Sequence, residues 1–276
     1  DDVMNSQRTG IYKKRKNALS GERLSLDIAN MALENAYMIA NKASSYSSSS
    51  TQDTANGNPA YASYKLSCFQ TYGMETPVSE KHFEQYKTPE LSDATFDAAM
   101  AHYQAKNQRV ATQALPVLQN VKNEQGDQIT KILVPFTDGS KGLQVASNLD
   151  RAIETEGQTL IQDMEKGVVL SMIDDNWKEH LRNMDDLRQN VQGAVYEQNY
   201  LLLIYKHESF DLFMGMLDEM NQSIVSFLFN AGLPIENQDP QRAAQSMQRA
   251  PQRSMKQEYT TSGPGNDEGS QDDQNN

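Results

Sequence analysis

The sequence predicts a mainly α-helical fold: a long scaffold helix, a smaller helical wing that carries a β-hairpin, an antiparallel two-helix finger and a disordered C-terminal tail. Two patterns in the chain lead to this prediction. Apolar residues recur at steps of three or four through two neighbouring segments between 171 and 229, and short β-branched runs occur only near 128–146. Apolar residues at steps of three or four line one face of a helix, and short β-branched runs are typical of strands.

The two-helix finger is predicted by two apolar stripes. The first stripe consists of Ile173, Trp177, Leu181, Met184, Leu187 and Val191, and the second of Phe210, Phe213, Leu217, Met220, Ile224 and Leu228. A brief connection at 193–198 makes two such helices antiparallel neighbours. We expect five large side chains to pack the helices together, and Trp177 to be the main anchor. These five are Trp177, Leu181, Met184, Phe210 and Phe213.

The rest of the chain divides by changes in composition. Residues 1–45 keep a helical period and are predicted to form one scaffold helix, which Gly10 and Gly21 weaken locally by about 1 kcal/mol each. Residues 46–147 form the wing, 148–232 the finger with its part of the scaffold, and 233–276 a polar tail without apolar period. Ser44–Asn58, rich in serine and asparagine, is predicted to be a mobile loop.

Boundaries follow from caps and breakers. In the wing, a helix is expected from Ser92 or Asp93 to about Asn123, broken or kinked near Pro116. Two strands should flank the Asp138-Gly139 turn.

In the finger, a helix start at Ser147 predicts one helix to about Gln192. Its partner should run from about Leu202 to Asn230, before Gly232 and Pro234.

Composition excludes several classes of protein. The formal charge is −12, from 25 basic and 37 acidic residues, which argues against nonspecific binding of nucleic acid. The mean hydropathy is −0.72, and no stretch reaches the ~18 apolar residues that a membrane span needs. The single cysteine, Cys68, excludes an internal disulfide and any metal site built from several cysteines.

Catalytic motifs are absent from the sequence. It has no phosphate loop, no G-x-G-x-x-G and no H-E-x-x-H, and its four histidines lack metal-ligand spacing. A hydrolase that uses Asp174, Asp175 or His180 is one alternative, but paired carboxylates on a helix are usually solvated or bound to nearby Lys and Arg. The basic cluster Lys13–Lys16 could meet an acidic membrane surface or an acidic partner, or form a solvated helix face.

Tyr196 is the residue that core packing explains least. It falls in the predicted turn between the finger helices, among small and polar residues. A large amphipathic ring at the end of a stiff rod suits contact with a chain segment or a channel wall, and the alternative is a ring folded back on its own helices.

Several motifs resemble one family. They are W-K-E-H-L at 177–181, M-D-D-L-R-Q at 184–189, Y-K-H-E-S-F at 205–210 and the opening D-D-V-M-N, followed by Gln7, Arg8, Ile11 and Tyr12. In order and spacing they resemble the finger and the start of the scaffold helix of SecA, the bacterial preprotein-translocase motor. The resemblance covers about 1–42 and 150–232, and is weaker over 45–147.

The resemblance implies a fragment of an ATP-dependent export motor that is cytoplasmic and peripheral at the inner membrane. ATP and magnesium would act in motor domains upstream, the partners would be the SecY channel and the preprotein, and this chain would hold no cofactor and no catalytic residue. The family's finger-tip tyrosine corresponds to Tyr196, with Gln198 beside it. Family members usually have Lys-Asp-Pro soon after the tip, where this chain has Asn199-Tyr200-Leu201.

A protein of another class fits the helical pattern as well. A free-standing adaptor could use the two-helix hairpin to bind a helix of a partner protein. We expect the fragment instead, because the chain opens without Met, inside what reads as a helix.

Overall fold

The computed structural model describes residues 2–49, 58–193 and 198–234. Helices dominate these ranges, which confirms the predicted fold class. The helices are α1 (Asp2–Ser20), α2 (Leu24–Ser49), α3 (Pro59–Tyr72), α4 (Glu80–Phe83), α5 (Thr88–Gln125), α6 (Leu149–Glu154), α7 (Gln158–Gly193) and α8 (Gln198–Asn230). A 3₁₀ turn (Gly126–Gln128) precedes the strands β1 (Lys131–Thr137) and β2 (Gly142–Asn148). The division into domains stays a prediction, and the tail beyond 234 lies outside the described residues.

The first 45 residues form two helices where one was predicted. Gly21 has a φ of +73° and donates its N–H to the Asn17 carbonyl at 3.1 Å. This left-handed glycine ends α1, because its N–H satisfies a terminal carbonyl of the helix. The same conformation would cost a residue with a side chain about 1–2 kcal/mol. As a result α1 packs on α7 and α8, while α2 packs mainly on α5 and α3. α2 also continues through Ser49, into the segment predicted to be a loop.

α5 is longer at its start than the sequence suggested. It begins at Thr88, where the Glu90 carboxylate accepts the Lys87 N–H at 3.1 Å, and Ser92 is buried inside the helix. The helix also continues through Pro116. An internal proline costs about 3 kcal/mol, and burial of Leu118 and Val121 next to it contributes roughly 1.5–3 kcal/mol each, enough to offset that cost.

The β-hairpin was predicted within two or three residues of its bounds. β1 and β2 pair antiparallel from Lys131↔Asn148 to Thr137↔Gly142, around a turn in which Asp138 accepts two backbone N–H groups. The outer edge of β1 exchanges two 2.9 Å backbone bonds with Gly232, just after α8. Continued antiparallel pairing would oppose Pro135 and Pro234, which both lack an N–H, so this contact stays a single bridge.

The finger begins later than predicted. Asn148, not Ser147, caps α6 by accepting the Arg151 N–H at 3.0 Å. A break then separates α6 from α7: Glu156 and Gly157 have φ values of +52° and +87°, and the Gly157 N–H bonds the Ala152 carbonyl at 2.8 Å. This 6→1 bond is the mark of a Schellman helix ending.

α7 and α8 form the predicted antiparallel pair. Val191 and Leu201 line the same groove near the junction of the two helices, and the rings of His180 and Phe213 lie 5.6 Å apart further along. α7 has 36 residues and α8 has 33, with α8 beginning four residues before the predicted start. At 1.5 Å per residue, each helix is roughly 50 Å long.

Candidate partner-binding site

The root of the finger, the last turn of α8, is held by the wing. The Phe229 ring is buried between Tyr103 of α5, at 4.4 Å, and Tyr72 of α3, at 5.2 Å. The Asn230 side chain donates to the Gln70 carbonyl at 3.2 Å, and Gly73 lies directly against it. Aromatic stacking and helix-end hydrogen bonds thus fix where the finger leaves the wing.

The middle of the finger is joined to α1 by a buried polar chain. The Gln7 amide donates to the Ser209 carbonyl of α8 at 2.9 Å, and its oxygen lies 2.9 Å from His180 Nε2 of α7. Because this oxygen is an acceptor, His180 carries its proton on Nε2. Nδ1 of His180 is buried and has no hydrogen-bond partner among the described residues. One glutamine therefore links three helices.

Acidic pH should weaken this junction. Burial lowers the pKa of His180, so the folded chain favours the neutral ring. The unfolded ring has a pKa of about 6.5, so the stability that depends on neutral His180 is full above that pH and is lost as the pH falls below it. We expect a lower urea midpoint at about pH 5.5 than at about pH 7.5.

His180→Gln, which cannot titrate, should reduce this pH dependence. His207→Gln is the matched control, because His207 is exposed on α8 beside Asp211. Equal pH dependence in the wild type and His180→Gln would contradict the assignment.

The basic cluster Lys13–Lys16 is divided by the fold. Arg15 binds Asp174 of α7 at 2.9 Å, and Lys14 donates to Asn221 of α8 at 3.0 Å. Lys13 and Lys16 are exposed. Only part of the cluster therefore faces solvent, which leaves less charge for an acidic membrane surface than the sequence suggested.

The residues of the hydrolase alternative have separate surroundings. Asp174 is bound to Arg15, Asp175 is exposed and lies 3.6 Å from Lys178, and His180 is buried against Gln7. Such an arrangement gives each group a packing or surface partner and does not bring the three side chains to one reacting atom.

The five predicted packing residues are placed differently from one another. Met184 is buried, and Trp177 and Phe213 are half-buried against the core. Leu181 is 37% exposed and Phe210 is 61% exposed, so much of each side chain faces solvent, which is less burial than a packing role predicts. Tyr196 lies outside the described residues, and so does the side chain of Gln198, the first residue of α8.

The outward face of α8 carries large apolar side chains. Leu203, Phe210 and Met214 are 64%, 61% and 42% exposed, and their spacing of seven and four places them on one face, here called the α8 stripe. Nearer the junction with α7, Met184, Val191 and Leu202 help to line an open groove of about 430 Å³. Exposed apolar faces of this kind mark surfaces that bind other proteins or membranes.

Comparison with known proteins identifies the family. A family model described as the SecA Wing and Scaffold domain matches residues 1–232. The chain belongs to the SecA family. Similar proteins include the protein translocase subunit SecA of Flavobacterium psychrophilum, 42% identical over 249 residues, which are 90% of this chain and 21% of that protein. The subunit of Christiangramia forsetii is 42% identical over 234 residues, 85% of this chain and 20% of that protein.

The SecA match concerns only part of each relative. The SecA of Bacteroides fragilis is 38% identical over 257 residues, and the chain covers 22% of it, so this sequence spans about a fifth of the relatives' length. Across the described ranges, none of the helices has the length and apolar character to cross a membrane. Nor do the described His, Cys, Asp and Glu side chains form a group of three that could hold a metal ion.

Two buried polar residues, Gln7 and Lys106, were not predicted from the sequence. Gln7 precedes Ile11 and Ala18 on the buried face of α1, and Lys106 occupies a buried position of α5 between Tyr103 and Val110. The signal was present in both cases: a polar residue at a helical spacing that otherwise holds apolar residues. Such positions require partners from neighbouring helices, as both have here.

Proposed function

We propose that this chain is the wing and scaffold portion of a SecA-type protein translocase, and that its finger contacts the SecY channel and the moving preprotein during ATP-driven export. ATP and magnesium belong, in this proposal, to nucleotide-binding domains elsewhere in the complete protein. The complete protein would be cytoplasmic and peripheral at the inner membrane.

The observation that carries this proposal is the geometry of the finger. Its root is fixed by aromatic stacking on Phe229 and its middle by Gln7, while apolar surface stays exposed along the α8 stripe and at the groove near Leu202. A helix pair of roughly 50 Å that is anchored at its root and its middle can transmit a motion to its far end. The family match supports a role in translocation, because the relatives are named protein translocase subunits.

Tyr196 tests the contact with the polypeptide. In the full-length protein, Tyr196→Ala should slow translocation by about 5- to 30-fold, the effect of losing 1–2 kcal/mol of contact. Tyr196→Phe should keep most of the activity, because the flat ring remains. The rate is measured as protected preprotein per minute in membrane vesicles, with ATP hydrolysis followed in parallel.

Tyr86→Ala is the matched control, since Tyr86 is an exposed tyrosine of the wing, between α4 and α5 and outside both finger helices. It should translocate at the wild-type rate. Wild-type translocation by both Tyr196 variants would refute the role of the fingertip, and the adaptor function would then become the better interpretation of the hairpin.

A further inference from the structure

Lys106 is a cation inside the core where the wing meets the finger. Its Nζ donates to the carbonyls of Leu228 and Ala231, the latter at 2.9 Å, and lies 5.1 Å from the centre of the Tyr103 ring. Only 9% of the residue is exposed. Carbonyls at a helix C-terminus have no partner within the helix, so a lysine of α5 supplies N–H donors there from outside α8.

The charges around Lys106 come from two helices. Glu165 of α7 faces the cluster and accepts the Tyr103 hydroxyl at 2.9 Å, and Arg109 and His102 lie on α5 itself. From α8 the amine faces main-chain carbonyls. None of the ion pairs seen between described residues joins Lys106 to Glu165. The amine is thus buried without a direct counter-charge.

We propose that Lys106 is a proton-sensitive cap: as a neutral amine it holds the wing on the root of α8, and on gaining a proton from solvent it releases that root. A neutral amine has two N–H donors, which match the two carbonyls. The Tyr103 ring and the carbonyl dipoles favour the ammonium, but its charge would lie in a site that is 9% exposed and that no described carboxylate pairs with directly, and burial penalises that charge more. Proton uptake therefore favours an open state in which Lys106 reaches water.

The open state would loosen the finger from the wing. The same turn of α8 holds the Phe229 stack and leads into the Gly232 bridge to β1, so loss of the cap exposes contacts with three wing elements. The stiffness of the joint between wing and finger would then depend on pH. The proton-sensitive cap concerns how the finger is attached to the wing, whereas the function proposed above concerns what the finger contacts.

The direction of the pH effect follows from linkage. Burial lowers the pKa of Lys106 to about 7, Glu165 opposes this shift and Arg109 adds to it. A lysine in water has a pKa of about 10.4. Between these values the open state binds a proton that the closed state does not, so opening becomes rarer as the pH rises, by up to about tenfold per pH unit.

Hydrogen exchange of the full-length protein tests this cap. The opening constant of the amides at 224–233 is obtained from about pH 6.5 to about pH 9.5, after division by the intrinsic exchange rates. In the wild type it should fall as the pH rises above about 7. In Lys106→Met it should not vary with pH over this range, and in Lys131→Met, which changes an exposed lysine of β1, it should follow the wild type.

Glu165→Gln provides an independent measurement should Lys106→Met fail to fold. The glutamine oxygen can still accept the Tyr103 hydroxyl, but the negative charge that favours the ammonium is gone. The decline in opening should therefore begin at a lower pH than in the wild type. An identical pH dependence in the wild type and Lys106→Met, or an unchanged onset in Glu165→Gln, would overturn the proposal.

Discussion

Phe229→Ala should lower the free energy of unfolding by about 3–5 kcal/mol, the typical effect of truncating a fully buried phenylalanine. Phe229 is 1% exposed and lies between Tyr103 and Tyr72, which come from two wing helices. Its removal leaves a cavity at the root of the finger that neither ring can fill without moving its own helix. Urea unfolding of the chain, followed by circular dichroism, measures the loss as a lower midpoint.

Phe210→Ala is the matched control on the same helix. Phe210 is largely exposed, so its truncation should change the free energy of unfolding by no more than about 0.5 kcal/mol. The same change, phenylalanine to alanine, thus compares the stability contributed by the buried face of α8 with that of its exposed face. Similar losses for both would mean that the rings of Tyr103 and Tyr72 do not enclose Phe229 as described.

Gly157→Ala should lower the free energy of unfolding by about 2–5 kcal/mol, from two effects that add. Its φ of +87° costs a side-chain-bearing residue about 1–2 kcal/mol. A Cβ would also lie 2.8 Å from the Cβ and 2.9 Å from the Cα of Ala111 on α5. Overpacking of this kind costs typically about 1–3 kcal/mol more. The same urea titration measures the change.

Gly139→Ala isolates the backbone effect. Gly139 has a φ of +94° in the β-turn, and a Cβ there would meet nothing within 4 Å. This variant should therefore lose only the conformational part, about 1–2 kcal/mol. If both variants lost the same free energy of unfolding, the close approach of the α6–α7 connection to α5 would not contribute to the effect of Gly157→Ala.

The finger could be predicted because its signal is local and repeated. Apolar residues at helical spacing run from Ile173 to Val191 and from Phe210 to Leu228, and a helix needs little else to be recognised. The β-hairpin around Asp138-Gly139 was predictable for the same reason, since turn residues stand between two β-branched runs. Fold class and these elements therefore follow from neighbouring residues alone.

The helix breaks were harder to predict because a glycine in a helical pattern has two outcomes. Gly10 stays inside α1, whereas Gly21 ends it in a left-handed conformation. A proline in a helical pattern also has two outcomes, and Pro116 stays within α5 because Leu118 and Val121 are packed beside it. In each case the local cost is about 1–3 kcal/mol, and contacts with other helices decide whether it is offset.

The sequence by itself determined that this protein is mainly helical, with a long antiparallel helix pair and a small β-hairpin, because those features arise from periodicity along the chain. Only the tertiary structure decided which apolar side chains are buried and which are presented outward, as the contrast between Phe229 and Phe210 shows. It also decided the partners of Lys106 and Gln7, which lie more than a hundred residues away. Burial and hydrogen bonding depend on distant segments meeting in space, and periodicity within one helix does not specify those encounters.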